Sequence, residues 1–159
     1  MQGHQSPDSA FCGGVIGFAQ NTEAVNLTSD YCKAYNLTIY CGATINENYR
    51  DPDMFVSAIL GAVFCENGSG VYNISNCYVE KCDIVGVGNQ KIRLSAAGIL
   101  GYAAWSGRVN ISNSYVYGSN ISASYSANQA YTNEAHSCAM SGGILGRRNS
   151  TTVNISNCS

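Results

Sequence analysis

A sequence repeat, most complete at residues 97–123, occurs nearly four times along this chain. This repetition constrains the fold more than any other feature. Its first half is a small-small-aliphatic-aliphatic-Gly motif that ends at Gly17, Gly61, Gly101 and Gly146, with spacings of 44, 40 and 45 residues. Its second half is an Asn-aliphatic-Ser/Thr motif that begins at Asn26, Asn73, Asn110 and Asn154. Self-similarity at a period of this length is typical of solenoids and other repeat arrays.

The residue types of the phrase predict β-strands. Val, Ile, Tyr, Thr and Ser alternate in short runs that are broken by Gly, Asn and Ser, and 17 glycines in 159 residues disfavour long helices. A repeat of this length fits two turns of roughly 20 residues each. We therefore expect an all-β fold, a right-handed parallel β-helix (β-solenoid) with about seven rungs and two rungs per repeat.

The length favours a single domain over residues 1–159. An N-terminal arm at 1–10 precedes repeats at roughly 11–54, 55–94 and 95–138 and a partial repeat at 139–159. Ending inside a repeat has two interpretations that both stay open. The chain either assembles head to tail into a homopolymeric filament, or it is a fragment of a longer solenoid.

A solenoid stacks equivalent residues at the same position of successive turns. Aligning the four Asn-aliphatic-Ser/Thr motifs predicts an inward aliphatic column of Leu27, Ile74, Ile111 and Ile155. The same alignment predicts a structural ladder of corner side chains at Ser29, Asn76, Asn113 and Asn157. It also predicts a tyrosine ladder of Tyr31, Tyr78 and Tyr115. A second polar column is expected at Asn36, Asp83 and Asn120.

Eight cysteines in a β-rich chain with few charges indicate disulfides and an oxidising compartment. The chain has no Cys-x-x-Cys motif, so no zinc site is expected. Cysteines about one rung apart should be neighbours, which favours the pairs Cys12–Cys32 and Cys138–Cys158. The remaining cysteines would form Cys41–Cys65 and Cys77–Cys82, with Cys65–Cys82 as an open alternative.

Nine Asn-x-Ser/Thr sequons occur, more than this composition gives in random order. Eight are predicted N-glycosylation sites: Asn26, Asn36, Asn67, Asn73, Asn110, Asn120, Asn149 and Asn154. The ninth, Asn157, is assigned to the corner ladder. We expect at least five occupied sequons, Asn73 and Asn110 among them. The alternative is that the repeat favours Asn and Ser at turns for structural reasons alone.

Several function classes are disfavoured by composition. A net charge of −2 with scattered Lys and Arg argues against binding to nucleic acid. The longest apolar run, residues 54–65, is too short for a membrane span, and residues 1–10 do not read as a signal peptide. The ten carboxylates do not converge in sequence, so we expect no metal site, no cofactor and no enzymatic activity.

The Gly-Gly-Ile-Leu-Gly and Val-Asn-Ile-Ser-Asn phrases resemble the GLUG-type, filamentous-haemagglutinin-like β-solenoid repeats of bacterial and protist surface proteins. The resemblance covers roughly residues 10–159 and implies extracellular display as an adhesin, coat or fibre. The many cysteines and sequons depart from the bacterial members and favour a eukaryotic secretory route.

Three functions follow from these observations. The first is a structural, heavily N-glycosylated extracellular protein, secreted or at the cell surface, that forms a coat or a filament. The second is an adhesin or glycan-binding module that would use exposed aromatic residues such as Trp105, Tyr102 and the Tyr31, Tyr78, Tyr115 row as platforms for sugar rings. The third is a polysaccharide lyase or hydrolase of the parallel β-helix type.

Overall fold

A computed structural model of the chain describes residues 9–21, 26–43, 53–65, 70–88, 92–105, 107–125 and 138–159, and these residues form β-strands joined by tight corners. The order of strands repeats every five strands, and each set of five makes one coil. The predicted glycosylation site Asn67, most of the N-terminal arm and the side chain of Cys138 lie outside the described part.

The first coil contains β1 (Ala10–Gly13), β2 (Ile16–Asn21), β3 (Asn26–Asp30), β4 (Lys33–Tyr35) and β5 (Thr38–Ala43). The second contains β6 (Asp53–Ser57), β7 (Leu60–Cys65), β8 (Val71–Ser75), β9 (Tyr78–Glu80) and β10 (Asp83–Gly88). The third contains β11 (Arg93–Ala97), β12 (Leu100–Ala104), β13 (Arg108–Ser112), β14 (Tyr115–Tyr117) and β15 (Asn120–Tyr125). The fourth coil contributes β16 (Cys138–Gly142), β17 (Leu145–Asn149) and β18 (Thr152–Ser156).

Every strand pairs with the strand five places further along the chain, and the pairing is parallel in all five sheets. The sheets have the orders β1-β6-β11-β16, β2-β7-β12-β17, β3-β8-β13-β18, β4-β9-β14 and β5-β10-β15. This arrangement confirms the prediction of an all-β fold of stacked parallel strands.

The prediction of two rungs per repeat, and with it seven rungs, is wrong. Asn110 pairs directly with Asn73 and with Asn154, so adjacent strands are one whole repeat apart. An intervening rung would separate these residues by about twice the 4.8 Å strand spacing. The physical reason is that five short strands and their corners consume the whole repeat before the chain returns to its starting sheet.

The corners are formed by residues in the left-handed backbone region. Asn76, Asn113 and Asn157 end the third strand of their coils with φ values of 52°, 49° and 51°. Asn adopts this conformation more easily than other non-glycine residues. In the first coil the same corner is held by Tyr31, with φ of 55°. The three predicted asparagines therefore occupy equivalent corners, whereas Ser29 lies two residues before the corner of the first coil.

The first coil is shifted by two residues from the alignment that the motifs suggested. Asn26 pairs with Val71, and Ser29 pairs with Ile74, so Leu27 does not enter the column of Ile74, Ile111 and Ile155. A shift of two residues leaves every side chain on the same face of its strand, because side chains alternate with a period of two. The motif alignment could not detect it for this reason. Asn36 is displaced in the same way, and Thr38 pairs with Asp83 in its place.

A column of glycines runs across the second sheet, where the backbones of neighbouring strands approach each other closely. A Cβ atom on Gly61 would lie 2.4 Å from the carbonyl oxygen of Gly17, and one on Gly101 would lie 2.4 Å from that of Gly61. On Gly146 the distance to the oxygen of Gly101 would be 2.8 Å. Only glycine permits such an approach of backbones, which explains why the repeat keeps this residue.

Two cores stabilise the coils. The inner core consists of aliphatic side chains that stack between coils, and its fully buried members include Met54, Ile59, Leu60, Ile74, Ile84, Leu94, Ile99, Leu100 and Ile111. Burial of each such side chain contributes about 1.5–3 kcal/mol. Alternate residues of the first two sheets face the other way and form an outer aromatic cluster of Phe11, Phe18, Phe55, Phe64, Tyr102 and Trp105. The ring of Phe55 stacks on that of Tyr102 at a centroid distance of 4.0 Å.

Candidate functional site

The outward side of the small sheet β4-β9-β14 carries the largest group of exposed aromatic side chains that the described ranges bring together on one sheet. The central residues of these strands, Ala34 and Val79, are buried, so the residues on either side of them point outward. The register places these outward residues in two columns, Lys33-Tyr78-Tyr115 and Tyr35-Glu80-Tyr117. We call these six residues the tyrosine face.

The predicted tyrosine ladder is confirmed in part on this face. The rings of Tyr78 and Tyr115 lie 4.7 Å apart between centroids. Tyr31 does not join them, because Lys33 occupies the corresponding place in the first coil. Tyr31 instead sits at the corner, where its side chain is largely exposed.

Polar groups are held among these rings by defined contacts. The Tyr115 hydroxyl donates a hydrogen bond to the Glu80 carboxylate, which raises the pKa of Tyr115. The Lys33 ammonium lies 3.8 Å from the same carboxylate. The ammonium groups of Lys33 and Lys81 lie 5.6 and 5.7 Å from the ring centroid of Tyr35, within the range of a cation–π interaction.

Exposed rings beside fixed carboxylate and ammonium groups are suited to ligands with both apolar and hydroxylated surfaces. Tyr35 and Tyr117 are 51% and 69% exposed and lie in the same column, with Glu80 between them. Sugar rings stack on tyrosine through their C–H face, and their hydroxyls bond to carboxylates and phenols. The sequence signal for this face is the alternation of Lys-Ala-Tyr, Tyr-Val-Glu and Tyr-Val-Tyr. The tyrosine ladder predicted from the sequence contains Tyr78 and Tyr115 but neither Tyr35 nor Tyr117.

The other aromatic residues proposed as sugar platforms are packed. Tyr102 is buried in the outer aromatic cluster, and Trp105 contacts Phe64 at a centroid distance of 4.4 Å. Arg147 lies 6.0 Å from the ring centroid of Tyr102 on the neighbouring strand. These two aromatic residues therefore act in packing.

The repeated sequon asparagines form an amide ladder across the third sheet. The Nδ2 group of Asn110 donates to Oδ1 of Asn73 over 2.9 Å, and that of Asn154 donates to Oδ1 of Asn110 over 2.9 Å. The row is outward, as expected, but its amides are engaged with each other. At the corner, the Nδ2 group of Asn157 donates to Oδ1 of Asn113 over 3.3 Å.

The remaining described sequons lie outside this ladder. Asn26, Asn36, Asn120 and Asn149 are all exposed. Asn26 is two residues out of register with Asn73, and its place in the third sheet is taken by Thr28. Their side chains are thus more accessible for glycosylation than those of Asn73 and Asn110, which are only partly exposed.

The seven cysteines whose side chains are described are thiols in this structure, and their neighbours differ from the predicted pairs. Cys12 lies next to Cys41, at 2.9 Å between sulfur atoms, so the predicted pairs Cys12–Cys32 and Cys41–Cys65 are wrong for this structure.

Cys32 and Cys77 follow equivalent corner residues, and burial raises the pKa of Cys77 to about 11. Cys82 lies at the next corner, where its amide donates to the hydroxyl of Ser119, and Cys158 follows Asn157. Cys12–Cys32 and Cys41–Cys65 were predicted from the spacing of a short rung, which does not apply when each coil takes a whole repeat. The predicted pair Cys138–Cys158 lies outside the described side chains.

The described carboxylates do not form a catalytic pair. Asp30 accepts hydrogen bonds from Ser75 and Asn76, Asp53 pairs with Arg93 at 2.5 Å, and Glu80 belongs to the tyrosine face. These three acids and Asp83, the first residue of β10, lie on four different sheets. Within the described ranges, no group of three or more His, Cys, Asp and Glu side chains is placed to hold a metal ion. No helix that could cross a membrane occurs in the part of the chain that the structure covers.

No protein-family model, no curated protein and no solved structure matches this chain. The resemblance to GLUG-type repeats therefore has no support beyond the sequence phrases and stays a hypothesis.

Proposed function

We propose that this chain is a structural, N-glycosylated extracellular protein whose coils build a surface coat or filament by head-to-tail self-association. The observation that supports this proposal most is that each coil stacks on another through equivalent residues of the same repeat, as in the ladder of Asn73, Asn110 and Asn154. A surface that pairs with its own copy within one molecule offers the same complementary pattern to a second molecule. We also propose a right-handed coil, because connections between parallel strands nearly always have that hand.

Self-association is tested by light scattering and electron microscopy of the purified full chain over a range of concentrations. We expect linear assemblies whose length grows with concentration. Ile155→Glu should prevent them, because Ile155 continues the column of Ile111 and is 48% exposed. Tyr40→Glu is the matched control, since Tyr40 is also exposed but lies on another sheet. A chain that stays monomeric at every concentration contradicts the proposal.

Glycosylation is tested by glycopeptide mapping of protein secreted from eukaryotic cells. We expect sugar on Asn26, Asn36 and Asn120, which are exposed and outside the amide ladder. Asn73 and Asn110 are strand partners about 4.8 Å apart, so two sugars there would overlap. At most one of them should be modified in a given molecule, which replaces the expectation from the sequence alone that both are occupied. Molecules modified at both positions, or bare Asn26, Asn36 and Asn120, would refute this assignment.

A second function, glycan binding, is favoured by the tyrosine face. The two exposed tyrosines Tyr35 and Tyr117 flank Glu80 and would take a sugar chain that lies across the three coils. Tyr35→Ala and Tyr117→Ala should each weaken binding to the best oligosaccharide of an immobilised panel at least about fivefold. Tyr40→Ala should not, since that exposed ring belongs to β5. If no oligosaccharide binds, or if all three variants bind alike, the tyrosine face is not a sugar site.

A further inference from the structure

Two thiols meet inside the first coil. Cys12 lies in β1 and Cys41 in β5, and their sulfur atoms are 2.9 Å apart. Cys41 is buried and Cys12 is half-buried, and both pack on the inner core. A disulfide bond has a sulfur–sulfur length of about 2.05 Å, so a small rotation of the two side chains would bring the atoms to bonding distance.

The other coils show independently that these two positions face each other across the interior. Val56 is the strand partner of Cys12, and Gly86 is the strand partner of Cys41. A Cβ atom on Gly86 would lie 3.6 Å from the Cγ2 atom of Val56, so the second coil places a valine against a glycine. In the first coil both positions are cysteines, and their two sulfur atoms fill the space that the Val56 side chain fills in the second coil.

We propose that Cys12 and Cys41 form a disulfide that closes the first coil between its first and last strands. The required oxidant is a low-molecular-weight disulfide such as oxidised glutathione. The Cys12 thiolate attacks one glutathione sulfur, and a mixed disulfide forms as one glutathione thiolate leaves. Cys41 then loses its proton and attacks the Cys12 sulfur, which releases the second glutathione thiolate. Two protein thiols lose two electrons and two protons, and one glutathione disulfide is reduced to two thiols.

The order of the two steps follows from the surroundings of the thiols. Cys12 is the more exposed of the two and is accessible to the oxidant. The contact with Cys41 lowers the pKa of Cys12 to about 7 despite partial burial, and the same contact, with burial, raises the pKa of Cys41. A thiolate is the attacking species in thiol–disulfide exchange, so Cys12 attacks first.

The experiment is a peptide map of the purified full chain after equilibration with oxidised and reduced glutathione. Remaining thiols are alkylated, and the chain is digested without reduction at acidic pH. We expect one cross-linked peptide pair that contains Cys12 and Cys41 and disappears after treatment with a reductant. A pair that links Cys12 to Cys32, or full alkylation of both Cys12 and Cys41, would overturn the proposal.

Variants make the assignment specific. Cys12→Ser should expose Cys41 to alkylation, Cys41→Ser should do the same for Cys12, and both should lose the cross-linked peptides. Cys82→Ser should keep them, because Cys82 lies at a corner of the second coil. The peptide map of the unsubstituted chain tests the bond by itself, so the proposal can be refuted even if a variant fails to fold. The readout is independent of self-association and of glycan binding.

Discussion

The backbone of the first coil follows the same path as the backbones of the second and third coils, but different interactions stabilise it. In the second and third coils, β6 and β11 are buried over four of their five residues, whereas every residue of β1 is only partly buried. Ile74 stacks on Ile111, but in the first coil the partner of Ile74 is Ser29. The comparison shows that a coil is defined by its corners and by the alternation of its strands, and that the identity of a stacked residue can change.

In the first coil, specific polar contacts replace the stacking of identical residues between coils. The hydroxyl oxygens of Ser29 and Tyr72 lie 2.7 Å apart inside the coil, and both residues are buried. At the corner, the Asp30 carboxylate accepts hydrogen bonds of 2.7 Å from Ser75 and 2.9 Å from Asn76. These hydrogen bonds lower the pKa of Asp30. Where apolar columns end, hydrogen bonds satisfy the polar groups that take their place.

The largest expected difference between the coils concerns the glycine column. Gly101→Ala places Cβ 2.4 Å from a backbone oxygen, which cannot move aside, and should cost about 4 kcal/mol of unfolding free energy. In the first coil Gly17→Ala meets its closest atom at 3.0 Å and should cost less. Gly143→Ala, with nothing within 4 Å of its Cβ, is the control. Equal losses from Gly101→Ala and Gly143→Ala in a denaturant titration would contradict the close approach.

The next effect in size comes from the inner core. Ile111→Ala removes a fully buried side chain between two coils and should cost about 3 kcal/mol. Leu27→Ala in the first coil should cost about half as much, because Leu27 is only partly buried. Chemical denaturation of both variants measures the difference, and a larger loss from Leu27→Ala would reverse the comparison.

A smaller effect is expected for the buried hydroxyl pair. Ser29→Ala leaves the Tyr72 hydroxyl without its partner and should cost about 1–2 kcal/mol. Tyr72→Phe should cost a similar amount, and the double variant should cost less than the two single losses added together. Strict additivity in this double-mutant cycle would show that the two hydroxyls do not interact.

The smallest effect is a gain. Tyr31→Asn gives the left-handed corner of the first coil the residue type that the other coils use, and should raise stability by about 0.5–1 kcal/mol. Asn113→Ala, at the equivalent corner of the third coil, should lower stability by about 1 kcal/mol and also removes the ladder contact with Asn157. Thermal unfolding of both variants tests this prediction, and an unchanged midpoint in both would mean that the corners tolerate any residue.

Most of the fold could be predicted from the sequence, because the repeat directly identifies equivalent positions in successive coils. The glycine phrase is in register in all four coils, as shown by Ile16, Leu60, Leu100 and Leu145. Asn73, Asn110 and Asn154 are in register as well. Residue spacing alone did not give the number of coils, because it does not reveal how many corners one turn contains.

The features that the sequence missed depend on contacts across the coil. Cys12 and Cys41 are separated by 29 residues, and only the closure of the five-strand coil brings β1 next to β5. The second column of the tyrosine face, with Tyr35 and Tyr117, required the register of β4, which the two-residue shift had hidden. No local pattern specifies either neighbour.

The central claim, one coil per repeat, is tested most directly by the distance between two nitroxide amino acids at Thr28 and Asn154. Both residues are exposed, and they are the first and last members of one register column that passes through Asn73 and Asn110. Three strand spacings put their backbones about 14 Å apart, whereas two rungs per repeat would put them about 29 Å apart. Pulsed electron paramagnetic resonance on the doubly labelled chain should give the shorter distance once the label arms are included, and a distribution centred near the longer one would contradict this fold.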